Sequence, residues 1–150
     1  MKVTFKVEGL AQCEEALAAL PAATTKNVLK RALMKAAEPV VTTAAAIVRK
    51  RTGRLGKSVT VSTKLSRRQK RQTQKTSDVE VYVGAGPLPH AHIEEFGSIH
   101  EAPHPFLRPA VDANGTRVMN SFRDDLKAEI DKAMARQARK AARLLAQKAV

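Results

Sequence analysis

The sequence holds a single cysteine, Cys13, and no tryptophan in 150 residues. One cysteine cannot form an intrachain disulfide, and it excludes zinc modules built on several thiolates. Cys13 lies in an Ala-rich stretch with no histidine nearby in sequence, so it reads as a small core residue rather than a nucleophile. Aromatic residues make up 3%, one Tyr and four Phe, which leaves little from which to build a base-stacking sheet or an aromatic sugar platform. No apolar run approaches the ~20 residues that a membrane-spanning helix needs. Met1 to Glu8 alternate and carry charge, unlike a secretion signal, and a soluble protein made in the cytoplasm is expected. No G-x-S-x-G, G-x-x-x-x-G-K-[ST] or H-E-x-x-H occurs, so the common nucleophile, phosphate and zinc signatures are missing.

Acidic residues are scarce as well. Asp and Glu number 14 against 27 Lys and Arg, a formal net charge of +13. A field of that sign on a short chain attracts nucleic acid, acidic protein surfaces or anionic membrane. Two stretches without an acid hold much of the excess. The first carries Lys64, Arg67, Arg68, Lys70, Arg71 and Lys75, and the second Arg136, Arg139, Lys140, Arg143 and Lys148. No apolar residue lies between Leu65 and Val79, so the loop of about 64–77 cannot fold onto a core by itself and is expected to be mobile. Residues 136–150 are expected to form a basic helical tail. Either stretch is suited to contact DNA phosphates, with salt-sensitive and sequence-independent binding, or to contact an acidic partner. Base readout is not indicated, because no helix-turn-helix or RNA-binding motif appears.

What remains fits one domain spanning 1–150, with 43% hydrophobic residues and a modest core. Val3, Phe5 and Val7 alternate with polar residues as in a half-buried strand, and Leu10 to Leu20 read as a short helix ended by Pro21. Thr24 or Thr25 is placed to cap a long helix running to about Lys50, with Leu29, Leu33, Ala36, Val40, Ala44 and Ile47 as its apolar stripe. Pro39 predicts a kink there, or two shorter helices. Thr52 to Gly56 break the helix, and strands are expected around Val59 and Val61 and again over Val79, Val81 and Val83. His92–Phe96 reads as an isolated helical turn in a proline-rich segment. From Phe106 onward helical spacing resumes, with Asn114-Gly115 expected to divide it. The fold class is α+β: a small antiparallel sheet of about three to four strands packed with a long N-terminal helix and a long C-terminal helix.

His90, His92, His100 and His104, with Glu94, Glu95 and Glu101, offer the donor types of a metal site, yet their spacing matches no tight ligand pattern. The plain reading is polar histidines on a loop, with no metal and no cofactor. Glu94 and Glu95 are adjacent, and neighbours on a helix point about 100° apart, so they are not a facing acid–base pair. No catalytic residue is assigned.

Three short motifs follow in order: Thr52-Gly53-Arg54-Leu55 with Ser58, then Glu95-Phe96-Gly97-Ser98, then Pro105-Phe106-Leu107-Arg108-Pro109-Ala110. Their order and spacing over about residues 25–125 resemble the small neck and tail-component proteins of long-tailed, lambda-like phages and prophages. The sequence departs from that pattern in carrying His90 and His92 where an aromatic often precedes E-F-G, and in its long basic loop. The resemblance implies a non-enzymatic virion protein, a tail completion or head–tail joining component that forms a hexameric ring at the head-proximal end of the tail. Its partners would be copies of itself, the head-closure protein, the tail terminator and the tail tube, with DNA passing through the channel. A tail terminator capping the tube is a close variant. The rivals are a sequence-independent nucleic-acid-binding protein and a metal-dependent hydrolase using His90, His92 and Glu95. Thr52, Gly53, Leu55, Glu95, Phe96, Gly97, Pro105, Phe106, Arg108 and Pro109 are the motif residues taken as interface candidates. Physically, Gly53 and Gly97 are expected where a side chain would clash, and Phe96 and Phe106 are expected to anchor the proline-rich segment.

Overall fold

Val28, Ala32, Ala36, Val40, Ala44 and Val48 recur at every fourth position, and all six are buried. Such a row forms one ridge on a helix surface, and its small side chains let another helix come close. The row is displaced by one residue from the expected stripe in its first half, where Leu29 and Leu33 are half-buried at its flank, and Ile47 is exposed. In the computed structural model, which describes residues 11–50 and 52–148, the row runs along two helices and ends at Val48, just past the second. These are α2 (Ala22–Ala36) and α3 (Glu38–Ile47), preceded by α1 (Ala11–Ala18). Pro39 stands at the start of α3, where a missing N–H costs nothing, so the chain breaks into two helices at Ala37. Neither Thr24 nor Thr25 caps α2. The helix begins just after Pro21, and the Thr25 hydroxyl turns back to the carbonyls of Leu17, Leu20 and Pro21.

The helix that covers this ridge is α7 (Leu107–Lys148), 42 residues and about 63 Å long at 1.5 Å per residue. It runs unbroken through Asn114-Gly115. Asn114 is buried, and its Nδ2 donates to the Ala110 carbonyl at 2.8 Å and to Thr43 Oγ1 at 2.9 Å. A residue type that usually opens turns is here satisfied inside the helix and locked onto α3, which removes the reason for a break. At the other end, Leu20, Val28, Ala32, Leu126, Ile130 and Ala133 form one core cluster, with α1 closing it through Cys13, Ala16 and Leu17. Arg31–Glu129 at 2.6 Å and Lys35–Asp125 add ion pairs along the rim between α2 and α7.

The second cluster joins Val40 and Ala44 of α3, and Val48 just past its end, to Val59, Phe106 and Ala110. Its sheet is two-stranded among the described residues: β1 (Val59–Ser62) runs antiparallel to β2 (Tyr82–Ala85), with Val59 opposite Ala85 and Val61 opposite Val83. The strand expected at Val3, Phe5 and Val7 lies outside the described residues. The strand expected over Val79–Val83 starts later, because Val79 and Glu80 are used in a turn: the Ser77 hydroxyl donates to the Val79 carbonyl and Glu80 accepts from Thr76 and Ser77. Between α3 and the sheet, α4 (Arg54–Ser58) makes the corner, and α6 (Pro89–Phe96) follows β2.

Phe106 sits at the centre of the second cluster and is 1% exposed. Phe106→Ala removes a ring that nothing else fills, and urea denaturation is expected to show a loss of about 3–5 kcal/mol. A loss below about 1 kcal/mol would contradict the packing described.

Candidate functional site

A 42-residue helix must begin somewhere, and its first four backbone N–H groups have no partner within it. Those positions here are Phe106, Leu107, Arg108 and Pro109. Glu95, at the end of α6, supplies the acceptors: Oε2 takes the N–H groups of Phe106 at 2.8 Å and Leu107 at 2.9 Å, and Oε1 takes that of Arg108 at 3.3 Å. The fourth position is a proline, which has no N–H to satisfy. One carboxylate and one proline therefore complete the helix start. Glu95 is 6% exposed, and a carboxylate so buried is tolerated only because it is fully hydrogen-bonded and faces the positive end of the helix dipole.

The outer side of this junction is ordered by weaker contacts. The Arg108 guanidinium lies 3.9 Å from Glu95 Oε1 and 5.1 Å from the centre of the Phe96 ring, a cation–π distance. The His92 ring lies 4.8 Å from that of Phe96. Phe96 is 53% exposed and does not anchor the segment as expected, because it lies outside both core clusters and only Phe106 points into one. Gly97 has φ +77° and ψ 179°, and a Cβ there would stand 3.0 Å from Glu101 O and from Pro103 N and Cδ. The clash expected at Gly97 is therefore present. It permits the hydrogen bonds that fold residues 98–104 back, Ser98 N–H to Glu101 O and His104 N–H to Glu94 O. Arg49, just past α3, reaches both Glu94 at 3.8 Å and Glu101 at 3.5 Å.

The other motif residues are placed differently. Gly53 precedes α4 with φ +69°, and a Cβ there would meet nothing within 4 Å, so the glycine serves the left-handed backbone rather than a close approach. Close approach belongs instead to Gly56, where a Cβ would come to 3.3 Å from Ala45 O. Leu55 packs against the second cluster, while Thr52, Pro105 and Pro109 are exposed. His90, His92 and His100 are exposed, His104 is half-buried, and among the described residues no three His, Cys, Asp or Glu side chains converge to hold a metal. Both oxygens of Glu95 are engaged by backbone N–H groups rather than turned toward His90 or His92.

The first basic stretch is not a plain loop. It contains α5 (Arg67–Gln72), which carries Arg67, Arg68, Lys70 and Arg71 and starts from a capping box: Ser66 Oγ accepts from Gln69 N–H at 3.3 Å, and Gln69 Oε1 accepts from Ser66 N–H at 3.0 Å. Lys64 and Lys75 flank it, exposed. The second stretch is the free end of α7. Ala133 is its last buried residue, and Arg136, Arg139, Lys140 and Arg143 project from exposed helix. Helix there propagates from a packed segment, so it needs no new nucleation, and its Ala, Arg, Lys, Leu and Gln content favours continuation. Sequence reading missed Arg49, Lys26 and Lys30, which look like ordinary solvent-face cations until the chain folds.

Two outcomes test this geometry. Glu95→Gln keeps the shape but removes the charge and one acceptor, and is expected to cost about 1.5–3 kcal/mol; Arg108→Ala, whose partner distance is long and whose side chain is 70% exposed, is expected to cost under about 1 kcal/mol. Equal losses in chemical denaturation would contradict the assignment. Separately, the Tyr82 hydroxyl and the Thr76 and Ser77 N–H groups hold the Glu80 carboxyl down to about 2. A depressed carboxyl supports its turn above the ordinary carboxylate range and loses that role only as pH falls through about 2. In an NMR titration, Tyr82→Phe should move the Glu80 midpoint upward, and an unmoved midpoint would rule out the hydroxyl as its main cause.

A family model described as "Bacteriophage HK97-gp10, putative tail-component" matches residues 11–97. No curated protein and no solved structure matches the chain. The matched span covers more than half of the 150 residues, from α1 to the E-F-G glycine, and ends two residues after Glu95. Through that carboxylate the matched part is joined to α7. The chain belongs to the HK97-gp10-like family of phage tail components.

Proposed function

We propose that this protein is a structural component of the phage virion that assembles as a ring at the neck, completing the head-proximal end of the tail and joining it to the head. The family supports a tail role. The observation that carries the ring is that a different exposed apolar surface stands beside each end of α7. At its start stands a shoulder of Ile93, Phe96 and Ile99, the last 94% exposed. At its far end, beginning about 39 Å along the helix from Arg108, stand Met134, Leu144 and Leu145. Leu126, Ile130 and Ala133 face the core, and the same stripe continues past the core at Gln137, Ala141 and Leu144.

Two unlike surfaces at opposite ends of one rigid element suit a head-to-tail contact, in which each copy uses one surface on one neighbour and the other on the next. Such contacts close into rings when the rotation allows. Exposed apolar groups of this size are what an assembly protein keeps for its neighbours, including the tail tube and head-closure proteins. The role is structural rather than catalytic, since the buried acid of the motif is spent on holding α7.

Light scattering in high salt after nuclease treatment, with negative-stain images, is expected to show closed rings, formed alone or on added tail tubes. Phe96→Ser should melt within about 0.5 kcal/mol of the parent, because the ring is surface-exposed, and should fail to assemble. A parent that stays monomeric in both settings, or a Phe96→Ser variant that assembles normally, would overturn the proposal.

A further inference from the structure

The folded chain gathers lysines that the sequence keeps apart. Lys26 and Lys30 stand one helical turn apart on the same face of α2. Across from them lie Lys64, Lys70 and Lys75, and the two sets line a groove of about 560 Å³. Two carboxylates share it, Asp78 and Glu80. Asp78 pairs with Lys26 at 2.8 Å. Glu80 is spent on its own turn, accepting from the N–H groups of Thr76 at 2.7 Å and Ser77 at 3.0 Å and from the Tyr82 hydroxyl. Among the described residues Lys30, Lys64, Lys70 and Lys75 pair with no carboxylate. Five ammonium groups against two carboxylates leave the groove at a formal +3.

We infer that this groove binds the phosphate backbone of nucleic acid without reading sequence, and that Asp78 competes with the phosphates for Lys26. The chemistry favours phosphates over an acidic protein. Among the described residues the groove's cations are all lysines, flexible point charges suited to a backbone of repeating phosphates, and no arginine fork lines it for bidentate carboxylate recognition. Nor does it present an exposed aromatic anchor of the kind that dominates protein interfaces, since Tyr82 is half-buried and its hydroxyl is engaged by Glu80. Charges on both walls would hold a strand along the groove rather than at a single point. The inference stands apart from ring formation, because the groove lies within one protomer.

Anisotropy of a labelled DNA duplex of arbitrary sequence, titrated at several salt concentrations, is the test. The parent should bind with a linear dependence of log affinity on log salt. Lys30→Gln with Lys70→Gln, two lysines without an ion-pair partner, should lower that slope by roughly two and weaken binding at least tenfold at low salt, with the thermal melt unchanged. Asp78→Asn should strengthen binding, since it frees Lys26 and removes a negative charge. Arg139→Gln with Arg143→Gln, on the free end of α7, should change the slope less than the groove pair does. Loss confined to the α7 pair would overturn the assignment. So would a parent that ignores DNA but binds poly-glutamate, or an Asp78→Asn variant that binds more weakly while folded.

Discussion

A buried carboxylate placed against the start of a long helix is the interaction on which the rest of this structure depends. Glu95 stands in the last turn of α6 and caps the start of α7 with both of its carboxylate oxygens. The residue after Arg108 is a proline, so no N–H at the helix start is left without a partner. Fixing this start fixes where Phe106 enters the second core cluster, and with it the register in which α7 lies on α2 and α3. The E-F-G and P-F-L-R-P-A motifs are therefore two halves of one device. The glutamate accepts, the glycine lets residues 98–104 fold back, the first phenylalanine stays outside under Arg108, and the second fills the core.

The division between inside and outside gives the protein its character. The inside is made mostly of Ala and Val, with Leu20, Leu126, Ile130 and Phe106 as its larger side chains, which allows close helix packing but limits how much of α7 can be covered. Among the described residues beyond Ala133 none is buried in the core. They remain helical by continuation, with apolar groups on one side and Arg136, Arg139, Lys140 and Arg143 elsewhere around the helix. Together with the Ile93–Phe96–Ile99 shoulder, these groups give a small protein two extended surfaces whose burial would require other molecules. A tail component that assembles as proposed would have a physical reason to be built this way.

Much of this was legible in the sequence, and what was not has definite causes. The helices other than α4 and α5, the two strands, the break at Pro39 and the basic helical end follow from periodicity and proline chemistry, while α4 stands where Thr52 to Gly56 read only as a break; the three motifs point to the family. The pairing of Glu95 with Phe106 was not legible, because the irregular backbone of residues 97–105 separates them and their meeting depends on a positive φ at Gly97. Asn114-Gly115 has the composition of a turn, and only the Thr43 hydroxyl on another helix explains why it is none. The capping box at Ser66 and Gln69 was readable, yet the absence of apolar residues nearby argued for a loop. Local hydrogen bonding formed a short helix there without a core. Lys26 and Lys30 carried no signal at all, since only the fold sets them across a groove from Lys64, Lys70 and Lys75.

The most direct test of the central claim is hydrogen exchange at the backbone amides of Phe106, Leu107 and Arg108. First-turn amides of a helix ordinarily exchange fast, because nothing inside the helix holds them. The Glu95 cap predicts slow exchange at all three, abolished in Glu95→Ala while the amides of Val28 and Ile130 stay protected. Fast exchange at these three amides in the parent, or protection that survives the substitution, would contradict it.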